Sequence, residues 1–210
     1  MRETVIAGTG ITKFGHYPDL PTSATVGEAT LKALKDAGLT WNDIQAAYCG
    51  DEDQGHASGH KAFYELGQKG FPIVKTESAC ASGMVAFRLA FQAVSSGIYD
   101  TVIAVGFEKM PPGAIPSTAF RDYQIKMGFN FQPANYCLEM NEYMKEHELT
   151  STDVSNVVVR ARKYSQYNPY ARYQNLVTLE QVENSKIVCG QVKLYQCSAT
   201  SDGAVAFVIT

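Results

Sequence analysis

Thr101–Gly106 (TVIAVG) is apolar on both faces of an extended chain, and a strand of that kind has to be covered on both sides. The rest of the chain is constrained to supply that cover. Just before it, Met84, Phe87, Phe91 and Val94 recur at three- and four-residue steps, which predicts a helix with those residues as its apolar face and Gly97 as its stop. The same pattern recurs upstream. Thr4–Gly10 (TVIAGTG) reads as a first strand, and a helix follows in which Thr25 and Glu28 form a capping box, Val26, Ala29, Ala33 and Ala37 line one face, and Gly38 sits at the C-cap. Ala46–Cys49 and Ile73–Lys75 are further strands, with a short helix over Lys61–Gly67 between them. The order β-α-β-α-β-α-β with short connections predicts an α/β fold, a mainly parallel sheet with helices packed on it.

After Lys109 the character changes. Met110–Pro133 contains MPPGAIPS and little periodicity, and the next ~50 residues read as helical pieces without an obvious strand. Helices are expected over Leu138–His147 and Thr152–Tyr164, the second capped by Thr152, lined by Val154, Val157, Val158 and Ala161, and stopped by Asn168–Pro169. The segment reads as an insertion over the sheet, of the kind that usually carries function. Asp202–Thr210 is then a turn and a last strand, expected either to belong to half of something larger or to form an edge that a partner completes.

At 210 residues, 45% of them hydrophobic and 19% charged, the chain is long enough and apolar enough for a sizeable core. A net charge of −3 without a basic block argues against nucleic-acid binding. No run approaches the ~18 apolar residues of a membrane span, and the apolar start after Met1–Thr4 is too short for a secretory signal. Cys49, Cys80, Cys137, Cys189 and Cys197 are scattered and odd in number, which suits reduced thiols in a cytoplasm better than disulfides or a zinc site. His56 and His60 stand four apart, but with no third ligand nearby they read as solvated loop residues and no metal is expected. Gly8, Gly10 and Lys13 imitate a dinucleotide loop, yet Lys13 replaces the third glycine and no helix follows.

Cys80 is the residue with chemistry to offer. A thiol where a helix begins meets unpaired backbone N–H groups and the positive end of the macrodipole, both of which favour thiolate. Ala79, Ala81, Ser82 and Gly83 around it are small enough for a substrate to approach. On spacing alone an ordinary buried cysteine fits as well. Arg160, Arg162 and Lys163, with Arg172 further on, are candidates for the phosphates of a ligand such as coenzyme A, the alternative being a solvated face.

The run ESACASGM, followed by an amphipathic helix and VIAVGFEKM, resembles the nucleophile segment of the thiolases, and among them the sterol-carrier-protein-2 type. Val5–Gly15 (VIAGTGITKFG), Lys163–Tyr173 (KYSQYNPYARY) and Cys197–Val208 (CSATSDGAVAFV) are similar to that subfamily's opening strand, loop-domain helix end and closing strand, in the same order; the likeness is weakest over Gly128–Tyr143.

The resemblance implies a thiolase-like βαβαβαββ half, with core 1–108, a loop domain 109–188 and a closing strand 189–210, the C-terminal half being absent. It implies Cys80 as nucleophile in a Claisen condensation or its reverse on a 3-oxoacyl-CoA, with coenzyme A as substrate, no covalently bound cofactor, and the loop-domain cations Arg160, Arg162, Lys163 and Arg172 as candidate CoA contacts. The activating histidine, oxyanion groups and acid/base cysteine belong to the second half in that family, so these 210 residues alone are expected to be inactive. Cys189, expected in a loop, and Cys197 are not assigned the acid/base role. Some relatives resemble retro-aldolases working with a small zinc-ribbon/OB-fold partner, where tyrosines would matter; Tyr136, Tyr143, Tyr164, Tyr167, Tyr170 and Tyr173 crowd the loop region, each expected to serve packing and loop hydrogen bonds. A non-catalytic subunit is the third reading. A homodimer or hetero-oligomer is implied, with acyl-CoA as ligand and neither nucleic acid nor membrane as partner.

Overall fold

The computed structural model describes residues 2–113 and 120–210. Residues 114–119, which include the second half of the MPPGAIPS stretch, lie outside the described residues. The chain divides into two compact units, Met1–Met110 with Ser201–Thr210, and Pro111–Thr200.

The first unit is built on a sheet of five strands, β1 (Ile6–Ile11), β2 (Ala46–Gly50), β3 (Ile73–Thr76), β4 (Val102–Glu108) and β7 (Gly203–Ile209), in the order β1-β7-β4-β2-β3. Strand β2 pairs parallel with β3 and β4, while β7 runs antiparallel to both β1 and β4. The sheet is therefore mixed, with β7 alone opposed to the other strands. This corrects one expectation: the last strand is not an edge. It fills the gap between β1 and β4, where Ala206 and Val208 are fully buried, and β1 and β3 are the edges.

Helices α1 (Thr22–Ala37) and α2 (Ser58–Ala62) contribute to one core with Val26, Ala29, Ala33, Phe63, Ile103 and Val105. Helix α3 (Ser82–Ser95) contributes to the other, with Ala86, Ala90, Ala93 and Val94 against Ala46, Val102 and Ala104. Glycine lets α1 lie close on β1: a β-carbon on Gly10 would stand 1.9 Å from the Ala29 carbonyl oxygen, and one on Gly8 2.2 Å from that of Ala33. These two glycines are packing residues, which accounts for their failure as a dinucleotide loop.

Two helix details differ from the sequence reading. Helix α1 starts at Thr22 behind Pro21, so Thr25 lies inside it, donating to the Thr22 carbonyl at 2.9 Å, while Glu28 pairs with Lys32. Gly38 does end the helix, at φ 68°. In α3 the expected apolar face is half met: Val94 is fully buried and Phe87 packs edge-on against Phe207, whereas Met84 is 68% exposed and Phe91 39%, and alanines complete the contact with the sheet. Close helix–sheet approach selects small residues, and Gly83 crosses Gly106 at that contact.

The second unit contains α4 (Asp122–Lys126), α5 (Gln132–Glu146), α6 (Ser151–Ser165), α7 (Leu179–Glu183) and a two-stranded ladder, β5 (Ile187–Cys189) with β6 (Val192–Lys193). The ladder lies beyond the stretch expected to be helical and puts Cys189, expected in a loop, on a strand. The N-cap of α6 is Thr150, not Thr152, because the box with Asp153 satisfies the first turn, and α6 ends at Ser165, ahead of Asn168. Its inward face carries fully buried Ser155, whereas Val157 is 52% exposed and Ala161 is exposed too. Among the described residues of this unit, Val177, Val182, Val192, Cys137 and Met144 are the buried apolar ones.

Candidate functional site

Strands β2, β3 and β4 are parallel, so their carboxyl ends share one edge of the sheet, the place where open α/β sheets bind ligands. The chain leaves β3 at Thr76 and turns through Glu77–Ala81 into α3. Cys80 stands one residue before the Ala81 N-cap and is exposed, and its side chain has no hydrogen-bond partner among the described residues. The expectation of a cysteine at the start of this helix holds, and the buried alternative does not.

The turn is built rather than loose. Ala79 adopts φ 48°, a left-handed conformation unusual for alanine. Its N–H donates to Glu77 Oε1 at 2.6 Å. The Ser82 hydroxyl accepts the Ser78 N–H at 2.8 Å and donates to the Ala79 carbonyl at 2.6 Å. From beneath, the Thr76 hydroxyl donates to the carbonyls of Ser82 and Cys49, at 3.0 and 3.2 Å. Sequence reasoning counted Ser82 only as small and passed over Thr76 and Glu77. The available signal was the density of Ser, Thr and Glu within two or four residues of the cysteine, since such side chains bond local backbone.

Around this turn the carboxyl ends of the strands are acidic. Glu108 on β4 accepts the Glu52 N–H at 2.9 Å and a short hydrogen bond from the Gln54 side chain. Burial, and then the carboxylates of Glu108, Glu77 and Asp53, raise the Glu52 carboxyl above its ordinary range. Asp51, fully buried at the end of β2, accepts from Ser58 at 2.7 Å and pairs with Lys75 at 3.0 Å. Cys49, one strand over, is no competitor for Cys80: burial first, and the Asp51 charge second, push its thiol far up. Burial likewise raises the Cys197 thiol.

Cys80 belongs to the first unit, and Arg160, Arg162, Lys163 and Arg172 to the second. The four cations are not equivalent. Arg162 lies over the Tyr173 ring at 4.2 Å and approaches Tyr195 at 6.0 Å, and Arg172 lies over Tyr173 at 5.2 Å, while Arg160 and Lys163 are exposed. Tyr136, Tyr143, Tyr164 and Tyr167 are 57 to 74% exposed, and the Tyr143 ring lies 4.3 Å from that of His147. His60 lies in α2 with His56 just before it, and among the described residues no three His, Cys, Asp or Glu side chains gather as a metal site. No helix of the described residues is long and apolar enough to cross a membrane.

Residues 4–141 match the family model described as the thiolase N-terminal domain. Over its whole length the chain is 34% identical to an acetyl-CoA acetyltransferase of Methanothermobacter thermautotrophicus, of which it spans 57%. Over 99% of its length it is 33% identical to benzoylsuccinyl-CoA thiolase subunit BbsB of Thauera aromatica, of which it spans 55%. It superposes on the Ltp2-ChsH2(DUF35) aldolase with a TM-score of 0.77 at 25% identity, covering 99% of this chain and 55% of that one. Human mitochondrial 3-ketoacyl-CoA thiolase in complex with CoA shares the fold, with a TM-score of 0.75 at 13% identity over 99% of this chain and 64% of that one. The chain spans about half the length of the relatives it matches in sequence.

Proposed function

We propose, on the premise that the chain belongs to the thiolase family, that it is the cysteine-bearing half of an acyl-CoA acyltransferase. The observation that carries this reading is the exposed Cys80, held in a hydrogen-bonded turn at the carboxyl ends of parallel strands. In the cleavage direction the Cys80 thiolate adds to the keto carbon of a 3-oxoacyl-CoA. The bond between that carbon and the one next to the thioester breaks, and its electrons go to an enolate that takes up a proton and leaves as an acyl-CoA. The thiol of a second coenzyme A, on losing its proton, then displaces Cys80 from the acyl enzyme. A thioester intermediate keeps the acyl group reactive for that second step.

The enolate needs donors and a proton source. We assign these to the portion by which the relatives exceed this chain, on the same polypeptide or another, so activity requires it. Exposed Met84, Phe91 and Ile98 on and just after α3 support a covering partner. A second copy is supported at the β3 edge. Both β1 and β3 have a strand on one side only, but side chains of α1 take part of the β1 edge, Asp36 accepting from the Thr9 N–H at 2.8 Å and Lys32 donating to the Ile11 carbonyl at 3.0 Å. The inserted unit is proposed as the CoA-binding loop domain, and the five free cysteines fit a cytoplasmic compartment.

A second reading, a CoA-thioester retro-aldolase with a small zinc-ribbon/OB-fold partner, is favoured by the likeness to the aldolase complex. Intact-mass measurement after incubation with 3-oxoacyl-CoA and acyl-CoA esters separates the two. An acyl adduct mapped to Cys80, blocked by iodoacetamide, is expected. A complex that still cleaves a CoA thioester with Cys80 alkylated would overturn the acyl-enzyme reading in favour of the lyase.

A further inference from the structure

We infer that Ser82 is a positioning residue for Cys80, acting by holding Ala79 in its left-handed conformation; the inference rests on the reading of Cys80 as nucleophile. An L-residue with a β-carbon is disfavoured at φ 48°, and nothing in the alanine side chain compensates. The surrounding bonds have to impose it. Ser82 Oγ accepts from the Ser78 N–H on one side of Ala79 and donates to the Ala79 carbonyl on the other, at 2.8 and 2.6 Å. One buried atom thus brackets both backbone torsions of Ala79, and those torsions set the direction in which the chain presents Cys80. Ser82 is itself fixed. It is 3% exposed, the Thr76 hydroxyl holds its carbonyl at 3.0 Å, and the absence of a side chain on Gly50 leaves room for that carbonyl. Ala79 has two other supports, the Ser82 N–H, which donates to the same carbonyl at 3.0 Å, and Glu77, an exposed carboxylate whose bond to the Ala79 N–H water can replace; neither holds the Ser78 N–H, which the Ser82 hydroxyl takes.

Glycine adopts the same backbone conformation unaided, so the contribution of Ser82 is separable from general stability. The test is the rate at which iodoacetamide alkylates Cys80 in the full chain, followed by intact mass and peptide mapping, for the wild type, Ser82→Ala, Ser82→Thr and Ser82→Ala/Ala79→Gly, each assayed below its own unfolding temperature. Ser82→Ala is expected to slow alkylation severalfold, because Cys80 then leaves its exposed place at the start of α3, and a thiol's reactivity follows its exposure and surroundings. Ser82→Thr, which keeps the hydroxyl, is expected to react as the wild type does, and the double variant to recover most of the loss. A folded Ser82→Ala chain reacting at the wild-type rate, or a double variant that recovers nothing, would overturn the inference; where Ser82→Thr does not fold, the double variant decides. Incubation of the wild type with acyl-CoA esters reads the nucleophile assignment separately. No acyl adduct, with the alkylation pattern as expected, sinks the acyl enzyme and leaves the placement of Cys80 by Ser82 in force.

Discussion

Gly50 and Ser82 approach so closely that a β-carbon on Gly50 would stand 2.2 Å from the Ser82 carbonyl oxygen. The last residue of β2 thereby sets how near α3 and the Cys80 turn can come to the sheet. Since the obstructing atoms are backbone, Gly50→Ala cannot be relieved by a rotamer change. It is expected to cost about 3 kcal/mol, the upper range for overpacking, measured by urea denaturation, and to slow Cys80 alkylation in whatever folded fraction remains.

The two glycine classes of α1 and β1 give opposite expectations. Gly10→Ala drives a methyl to 1.9 Å from the Ala29 carbonyl and should prevent folding, with the chain recovered as aggregate. Gly27, inside α1 and with nothing within 4 Å of its added β-carbon, should become more stable as alanine by about 0.5–1 kcal/mol. A raised midpoint for Gly27→Ala beside a soluble, cooperatively folding Gly10→Ala would refute this account of how α1 lies on β1.

What was legible in the sequence follows from which signal each feature leaves. The strands and the order of helices announced themselves because β4 and β2 are apolar on both faces, and Gly38 marks its helix end by conformation. The orientation of α3 was legible only in part, because large apolar side chains dominate a periodicity count: Phe87 and Val94 do face the sheet, but Ala86, Ala90 and Ala93 make the rest of the contact that Met84 and Phe91 were expected to make. The interior place of β7 was not legible, since a strand's neighbours depend on pairings that here cross about two hundred residues, from Ile6 to Ile209. Cys80 could be singled out because a small-residue turn before a helix is a local pattern. Its hold by Ser82 escaped because a hydroxyl that bonds its own turn is indistinguishable, in sequence, from one that faces water.

Lys75 and Asp51 form a partly covered pair in which the carboxylate is fully buried and the ammonium is 31% exposed. Lys75→Met removes the only ion-pair partner recorded for Asp51 among the described residues. A loss of about 3 kcal/mol is expected, the lower end for stranding a buried charge, because Ser58 and the Gln54 N–H still bond it. Adding Asp51→Asn should restore part of that loss. Equal denaturation midpoints for Lys75→Met and the wild type would show that the pair holds nothing.

Acid should loosen the start of α6. The Thr150 hydroxyl and then its backbone N–H hold the Asp153 carboxyl below the usual carboxylate range. A carboxyl depressed in the folded chain stabilises it fully above the unfolded value of about 3.9, and that contribution fades as pH falls through the folded value. Hydrogen-exchange protection of the first α6 turn should therefore be flat from pH 7 to about 5 and drop below about 4. In Thr150→Ala the drop should largely vanish, because the bonds that distinguish the two states have been weakened at neutral pH already. A Thr150→Ala chain that keeps the full acid-dependent loss would assign it elsewhere.

The four cations of the inserted unit should divide into structural and binding groups. Arg162, stacked on Tyr173 at 4.2 Å and near Tyr195, is part of the local packing. Arg162→Met is expected to lower stability by about 1 kcal/mol, the scale of a partly desolvated cation–π contact with its stem packing. Exposed Arg160 and Lys163 have no such role, so Arg160→Met and Lys163→Met should leave the unfolding midpoint in place. If the unit binds the phosphates of coenzyme A, those two variants should instead weaken CoA binding severalfold, with a shallower dependence on salt than the wild type, since each removes one screened charge from the contact. Calorimetric titration of CoA at two salt concentrations, paired with thermal unfolding of each variant, reads both effects. Undiminished CoA affinity in an Arg160→Met/Lys163→Met double variant would remove these residues from the binding site and return them to the solvated face of α6.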